Sequence, residues 1–163
     1  MTAIPSMEPQ QNSSGVRVFP PLIHVVAIVI GLLIQWWAPV RISGGARWLT
    51  VLAGCLLLGI AGGLIAWTAT IMFRAGTTPN PTQPSTALVT HGPFQFTRNP
   101  MYLAWELICV GVGLLANSLW PIVMAVPAGM VTRRLVIDKE ERYLVTKFGV
   151  AYRDYKARVR RWA

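Results

Sequence analysis

Thr90-His91-Gly92-Pro93-Phe94-Gln95-Phe96-Thr97-Arg98-Asn99-Pro100-Met101-Tyr102 is a polar, aromatic loop, punctuated by glycine and proline, that runs straight into an apolar helix. Asn99 is a good N-cap residue and Pro100 takes the first helical position. The missing amide of Pro100 costs little there, because first-turn amides have no partner inside the helix. Arg98 is thereby pinned at the mouth of a membrane segment. A cation fixed beside free amides and aromatic rings suits an anionic group such as a carboxylate. Lipid phosphate at the interface is an equally simple partner for it.

Around this stretch the chain is apolar. Of its 163 residues, 53% are hydrophobic and only 13% charged, which excludes an ordinary soluble domain and reads as one polytopic membrane domain. Cys55 and Cys109 lie in apolar runs and read as packing residues, not as a disulfide or a metal pair. Met1 to Gly15 is polar and contains Pro5 and Pro9, unlike a cleavable signal. Residues 1–19 are expected to form a disordered tail, and 20–163 the membrane domain.

Four apolar segments follow the tail. Leu22–Trp37 comes after Pro20-Pro21 and carries His24 and Gln35 near its ends. Trp48–Phe73 is the longest, free of charge and proline, and can span an apolar layer of about 30 Å. Its Gly54, Gly59, Gly62 and Gly63 offer a close-packing face. Met101–Ala116 and Leu119–Thr132 are shorter and read as a hairpin, residues 101–132, broken at Asn117-Ser118 and bent at Pro127. The single long connector, residues 74–98, holds Pro79, Pro81 and Pro84, which favour a stiff extended path.

From Arg133 onward the character changes. Ten of the fifteen Lys and Arg residues lie in the tail 133–163, which the positive-inside rule places in the cytoplasm. Four crossings then put the N-terminus, the long connector and the C-terminal tail on one side, where connector and tail can build one site. Leu135, Tyr143 or Leu144, and Phe148 recur at helical spacing, and Gly149 is a plausible stop before a second amphipathic stretch, Val150–Trp162. The expected fold is all-α, with about four transmembrane helices followed by cytoplasmic amphipathic helices. The basic tail also suits anionic headgroups. No nucleic-acid module is recognisable, and no obligate protein partner is evident.

Glu140-Glu141 stands out in this basic tail. Adjacent residues on a helix point about 100° apart, so one carboxylate is expected to face inward, accepting from hydroxyls or an amine of a ligand. Plain charge balance with Arg134, Lys139 and Arg142 is the competing reading. Glu106 lies within the third apolar segment, one turn beyond Tyr102 on the same face. An intramembrane carboxylate is a functional candidate by default, although pairing with Arg98 would serve it as well. No Cys/His/Asp/Glu group has zinc spacing, so no metal is expected. No glycine-rich phosphate cradle follows a strand, which argues against a Rossmann cofactor site.

Leu88-Val89-Thr90-His91-Gly92-Pro93-Phe94, then Arg98-Asn99-Pro100-Met101-Tyr102, then Glu140-Glu141, Leu144, Phe148-Gly149, Tyr152 and Tyr155 together resemble the isoprenylcysteine carboxyl methyltransferase and phospholipid methyltransferase family. The order and spacing of these boxes cover roughly Arg74 to Val159. The resemblance implies an integral-membrane methyltransferase that uses S-adenosyl-L-methionine under the cytoplasmic connector and tail and acts on a lipophilic or lipid substrate. It implies cofactor contacts from Leu88, Val89, His91, Gly92, Phe94, Asn99, Pro100, Met101, Tyr102, Glu140 and Glu141. Arg98 and Glu106 would be catalytic, and Arg133 and Arg134 would bind substrate. Two departures shape the substrate expectation. Asn99 stands where prenylcysteine enzymes of the family carry His. Val136 stands where they carry a substrate-binding Arg. The first leans towards the phospholipid or broader bacterial branch, and the second argues against a prenylated cysteine carboxylate as substrate. The rivals are a non-catalytic lipid-binding scaffold and an NADPH-dependent membrane reductase of the sterol-reductase type.

Overall fold

The structure is a computed structural model that describes residues 14–16 and 18–162. Its elements are α1 Pro20–Trp37, α2 Arg47–Arg74, a 3-10 turn Gly92–Gln95, α3 Pro100–Leu115, α4 Leu119–Thr132, a π-helical turn Arg133–Ile137, and α5 Asp138–Arg158. Among the described residues there is no strand, and the protein is an all-α, polytopic membrane protein. α1, α2 and the continuous helical run Leu119–Arg158 are long and apolar enough to cross a bilayer, and α3 is a shorter apolar helix beside them. α2 is apolar all round and mostly exposed, as a helix surrounded by lipid should be.

Helices meet through small residues, because lipid is as apolar as leucine and only close approach gains contact. Gly54 of α2 faces Gly111 of α3, where an added Cβ would lie 3.0 Å from the Gly111 carbonyl oxygen. Gly31 of α1 faces the start of α4, where a Cβ would lie 2.7 Å from the Pro121 nitrogen. Gly59, Gly62 and Gly63 meet nothing within 4 Å. The expected close-packing face of α2 is therefore Gly54 alone among these four.

The tight turn between α3 and α4 places Asn117 at φ +51, and the Ser118 hydroxyl accepts from the Trp120 amide at 3.3 Å. The α1–α2 connection docks on this turn. Ser43 N donates to Asn117 Oδ1 at 2.9 Å, and the Ser118 hydroxyl donates to Gln35 Oε1, also at 2.9 Å. Exposed Trp36, Trp37 and Trp48 lie toward this end, as in an interfacial aromatic belt.

Two expectations about the C-terminal half change. Helix does not stop at Arg133; it continues through Pro127 and the π turn into α5, so hairpin and tail share one long rod. Gly149 does not end α5 but kinks it, at φ +55 and ψ −122, a backbone conformation natural to glycine. The N-terminal expectation also changes in part. Residues 1–13 and 17 lie outside the described residues, but Val16, inside the expected tail, is buried against Tyr102, Val136 and Ile137. The Ser14 hydroxyl donates to the Pro81 carbonyl. The N-terminal segment, the connector and the C-terminal tail thus gather at one end of the bundle.

Candidate active site

At that shared end a cavity of about 780 Å³, its open mouth included, lies between the connector, the first turn of α3 and α5. Leu88, Val89, Phe94 and Met101 give it apolar walls, and Arg98, Glu140 and Glu141 bring charge. Tyr102, Asn99, Pro100, Leu144, Tyr152 and Tyr155 also line it, with Thr68 and Met72 from α2.

Local chemistry builds these walls. Pro100 opens α3 as expected, but the Asn99 side chain does not cap the helix. Its Nδ2 instead donates to the Arg161 carbonyl at 3.0 Å. The Thr97 hydroxyl donates to the same oxygen at 2.9 Å, and the Arg98 amide donates to the Arg160 carbonyl at 3.0 Å. Residues 97–99 are therefore spent on holding the C-terminal segment across the site. The Tyr155 hydroxyl adds a bond to the Phe94 carbonyl at 2.7 Å, tying α5 to the 3-10 turn.

The two glutamates both point inward, contrary to the expectation that one would. Glu141 is buried and surrounded by cations: Arg98 Nη1 at 3.1 Å, Lys156 Nζ at 3.1 Å, and Arg161, whose Nε and Nη2 donate to its two oxygens at 3.0 and 2.7 Å. Desolvation pushes its carboxyl up. The bonds from Arg161 and Lys156 and the charges of Arg98 and Arg161 outweigh that and hold it below the ordinary value. Among the described residues Glu140 has no cation partner and accepts one hydrogen bond, from the Tyr102 hydroxyl at 2.6 Å; desolvation, aided by the Glu141 charge, pushes its carboxyl up to about 7. The Tyr102 bond opposes that rise. One carboxylate is thus a fixed anion and its neighbour is poised near neutrality.

Arg98 is mostly buried, and its Nε and Nη1 have no hydrogen-bond partner. Its contact with Glu141 is a charge contact without hydrogen-bond alignment. The site therefore holds an unfilled cationic donor on one side and an under-committed carboxylate on the other.

Other expected site residues stand apart from the cavity. His91 is exposed and Gly92 does not line the cavity; Gly92 sits at φ +64 against Ile71, where a Cβ would overlap the Ile71 Cδ1 methyl. Glu106 pairs with His24, not Arg98: His24 Nε2 and Glu106 Oε1 are 3.0 Å apart, and His24 is fully buried. His24 Nδ1 lies 3.3 Å from the Pro20 carbonyl oxygen. Arg133 and Arg134 are exposed, Arg133 sharing an outer groove with Glu106, Gly129 and Trp162. Sequence reasoning missed Thr68, His24, Thr97 and Arg161. Only His24 had a usable signal: two ionisable groups in apolar helices, each needing a partner.

An all-helical membrane protein with an ion-lined cavity at one end of its bundle is the class that fold and site define. The sequence model of the phospholipid methyltransferase family matches residues 49–151, and the chain belongs to that family. It is, by that membership, a membrane methyltransferase. No curated protein and no solved structure matches it.

Proposed function

We propose that the chain is an S-adenosyl-L-methionine-dependent methyltransferase that modifies a lipophilic acceptor at the cytoplasmic face of its membrane. The observation that carries this is the donor set of the cavity. Arg98 offers a guanidinium whose Nε has no partner among the described residues and whose Nη1 meets Glu141 only as a charge contact, Glu140 offers an acceptor to hydroxyls or an ammonium, and Leu88, Val89, Phe94 and Met101 offer an apolar bed between them. An amino acid joined to a nucleoside through a methyl-bearing sulfonium brings a carboxylate for Arg98, an ammonium or hydroxyls for Glu140 and carbon-rich flanks for the apolar bed, so the residues fit the cofactor.

Bound there, the cofactor supplies a methyl on a sulfonium: the acceptor's lone pair forms the new bond as the carbon–sulfur bond breaks and its electron pair stays on sulfur. The chain has little chemistry of its own to add and works by positioning and by excluding water. Arg98 anchors the cofactor's anionic end. Glu140 orients its polar groups, and Tyr102 holds Glu140 in place. Glu141, saturated by Arg98, Lys156 and Arg161, fixes the C-terminal segment over the site and has no capacity left for ligand. Glu106, paired with His24, fastens α3 to α1.

Cytoplasmic orientation is supported by the ten basic residues of the tail. Calorimetry of the purified chain with S-adenosylmethionine and with NADPH tests the proposal. Only the first should bind, and labelled cofactor incubated with total membrane lipid should yield a labelled lipid. Binding of NADPH, or of neither compound, removes it.

A further inference from the structure

Among the described residues, two kinds of buried side chain have donor atoms without partners and also line the cavity: Arg98 and Thr68. Thr132 has an unpartnered hydroxyl too, but it does not line the cavity. Thr68 is 1% exposed. A threonine within a helix ordinarily satisfies its hydroxyl on the carbonyl one turn back, and Thr68 does not. A buried hydroxyl left unpaired is a standing penalty, so something must recover it when the site fills.

The position of Thr68 indicates what that is. It lies six residues before the end of α2 at Arg74, so about 9 Å below the helix terminus and into the bilayer. The charged groups of the cavity, Arg98, Glu140 and Glu141, come from the loop before α3 and from α5. Helix α2 contributes only Thr68 and Met72, and carries no charge between Trp48 and Phe73. A zwitterionic nucleoside is provided for at the charged wall. The α2 wall offers a single neutral donor in apolar surroundings, which matches a group that is uncharged and accepts a hydrogen bond.

We infer that Thr68 is a positioning residue for the methyl acceptor: its hydroxyl donates to an uncharged oxygen or nitrogen at the reacting end of a lipophilic molecule that reaches the cavity along α2. This rests on the function proposed above. Thr68 and Met72 bring no charge to the α2 wall, so an amine acceptor would meet that wall in its neutral form.

The test uses the full chain in phosphatidylcholine nanodiscs, with Thr68→Val and Thr68→Ser. Acceptors are phosphatidylethanolamine, a farnesylated cysteine and oleic acid, each titrated against labelled S-adenosylmethionine. For phosphatidylethanolamine, the one acceptor of the three whose reacting group is not a carboxylate, Thr68→Val should raise KM about fivefold to tenfold and Thr68→Ser should restore it; turnover of the carboxylate acceptors alone overturns the inference. The calorimetric Kd for S-adenosylmethionine should stay within twofold of the unsubstituted chain. Without ligand, Thr68→Val should melt a few degrees higher, because it removes an unsatisfied hydroxyl; a purely structural threonine would melt lower. Weakened cofactor binding with unchanged acceptor KM, or no change in either, overturns the inference while leaving cofactor dependence standing. A chain that binds cofactor but methylates none of the three acceptors also overturns it.

Discussion

Tyr102 donates a 2.6 Å hydrogen bond from its hydroxyl to Glu140 Oε2, joining the first turn of α3 to α5 across 38 residues of sequence. The bond crosses the cavity wall and leaves the other carboxylate oxygen for a ligand. It also couples the membrane-embedded half of the site to the basic tail.

Glu140 makes cofactor affinity depend on pH. Its carboxyl is raised to about 7 in the folded chain, so it is largely protonated at pH 6 and largely ionised at pH 8. Tyr102 and Glu141 are the groups that face it, and neither supplies a positive charge. Affinity for S-adenosylmethionine should rise across that window, and Glu140→Gln should lower it and flatten the dependence. Stability should move the other way. A carboxyl with a raised folded-state pKa favours folding below its ordinary value of about 4.5 and loses that contribution as pH rises through about 7. Calorimetry and thermal melts at pH 5, 6, 7 and 8 check both slopes.

Arg98→Ala should weaken cofactor binding by about a hundredfold or more, since truncating one partner of a buried, hydrogen-bonded charge pair costs about 2–5 kcal/mol. Arg98→Lys should recover only part of this, because an ammonium cannot present the planar fork. Binding titrations on folded protein measure it, and an unchanged Kd for Arg98→Ala would place the anion elsewhere.

Glu141→Gln should act on the fold before it acts on the chemistry. Arg98 would lose its carboxylate partner, Arg161 would keep only Asp138, and Lys156 would turn to solvent, at a cost of about 3 kcal/mol. The C-terminal segment Arg160–Trp162 should then become accessible to protease at lower temperature than in the unsubstituted chain, a difference that limited proteolysis reads directly.

His24→Ala should destabilise the bundle by about 2 kcal/mol through the unpaired Glu106 it leaves among apolar helices. Cofactor affinity should be unaffected, because neither residue lines the cavity. A thermal melt together with a cofactor titration separates the two effects; loss of binding in a fully folded variant would return Glu106 to the chemistry.

Gly31→Ala should lower the melting temperature. A Cβ there would sit 2.7 Å from the Pro121 nitrogen, and backbone cannot swing aside as a side chain can. Overpacking of this kind costs about 1–3 kcal/mol. Gly62→Ala, on the open face of α2, should be neutral or slightly stabilising, and the pair of melts is its own control.

What the sequence determined by itself was whatever is written in local composition. Unbroken apolarity marked α2 as membrane-spanning, and Asn99-Pro100 marked the start of α3. The basic tail argued for a side, and connector and tail do meet at one end of the bundle. Which carboxylate does what was decided only by tertiary structure. Glu140 and Glu141 are neighbours in the chain, yet one faces Tyr102 alone and the other faces three cations, because α5 lies between α3 and the returning C-terminal segment. His24 and Glu106 are 82 residues apart and meet only because α1 and α3 pack side by side. The Asn99 side chain turned to the Arg161 carbonyl and left the helix uncapped, a choice that depends on where the far end of the chain comes to rest. Propensity is a short-range quantity, whereas pairing of buried polar groups is settled by whichever partner the packed helices bring within about 3 Å.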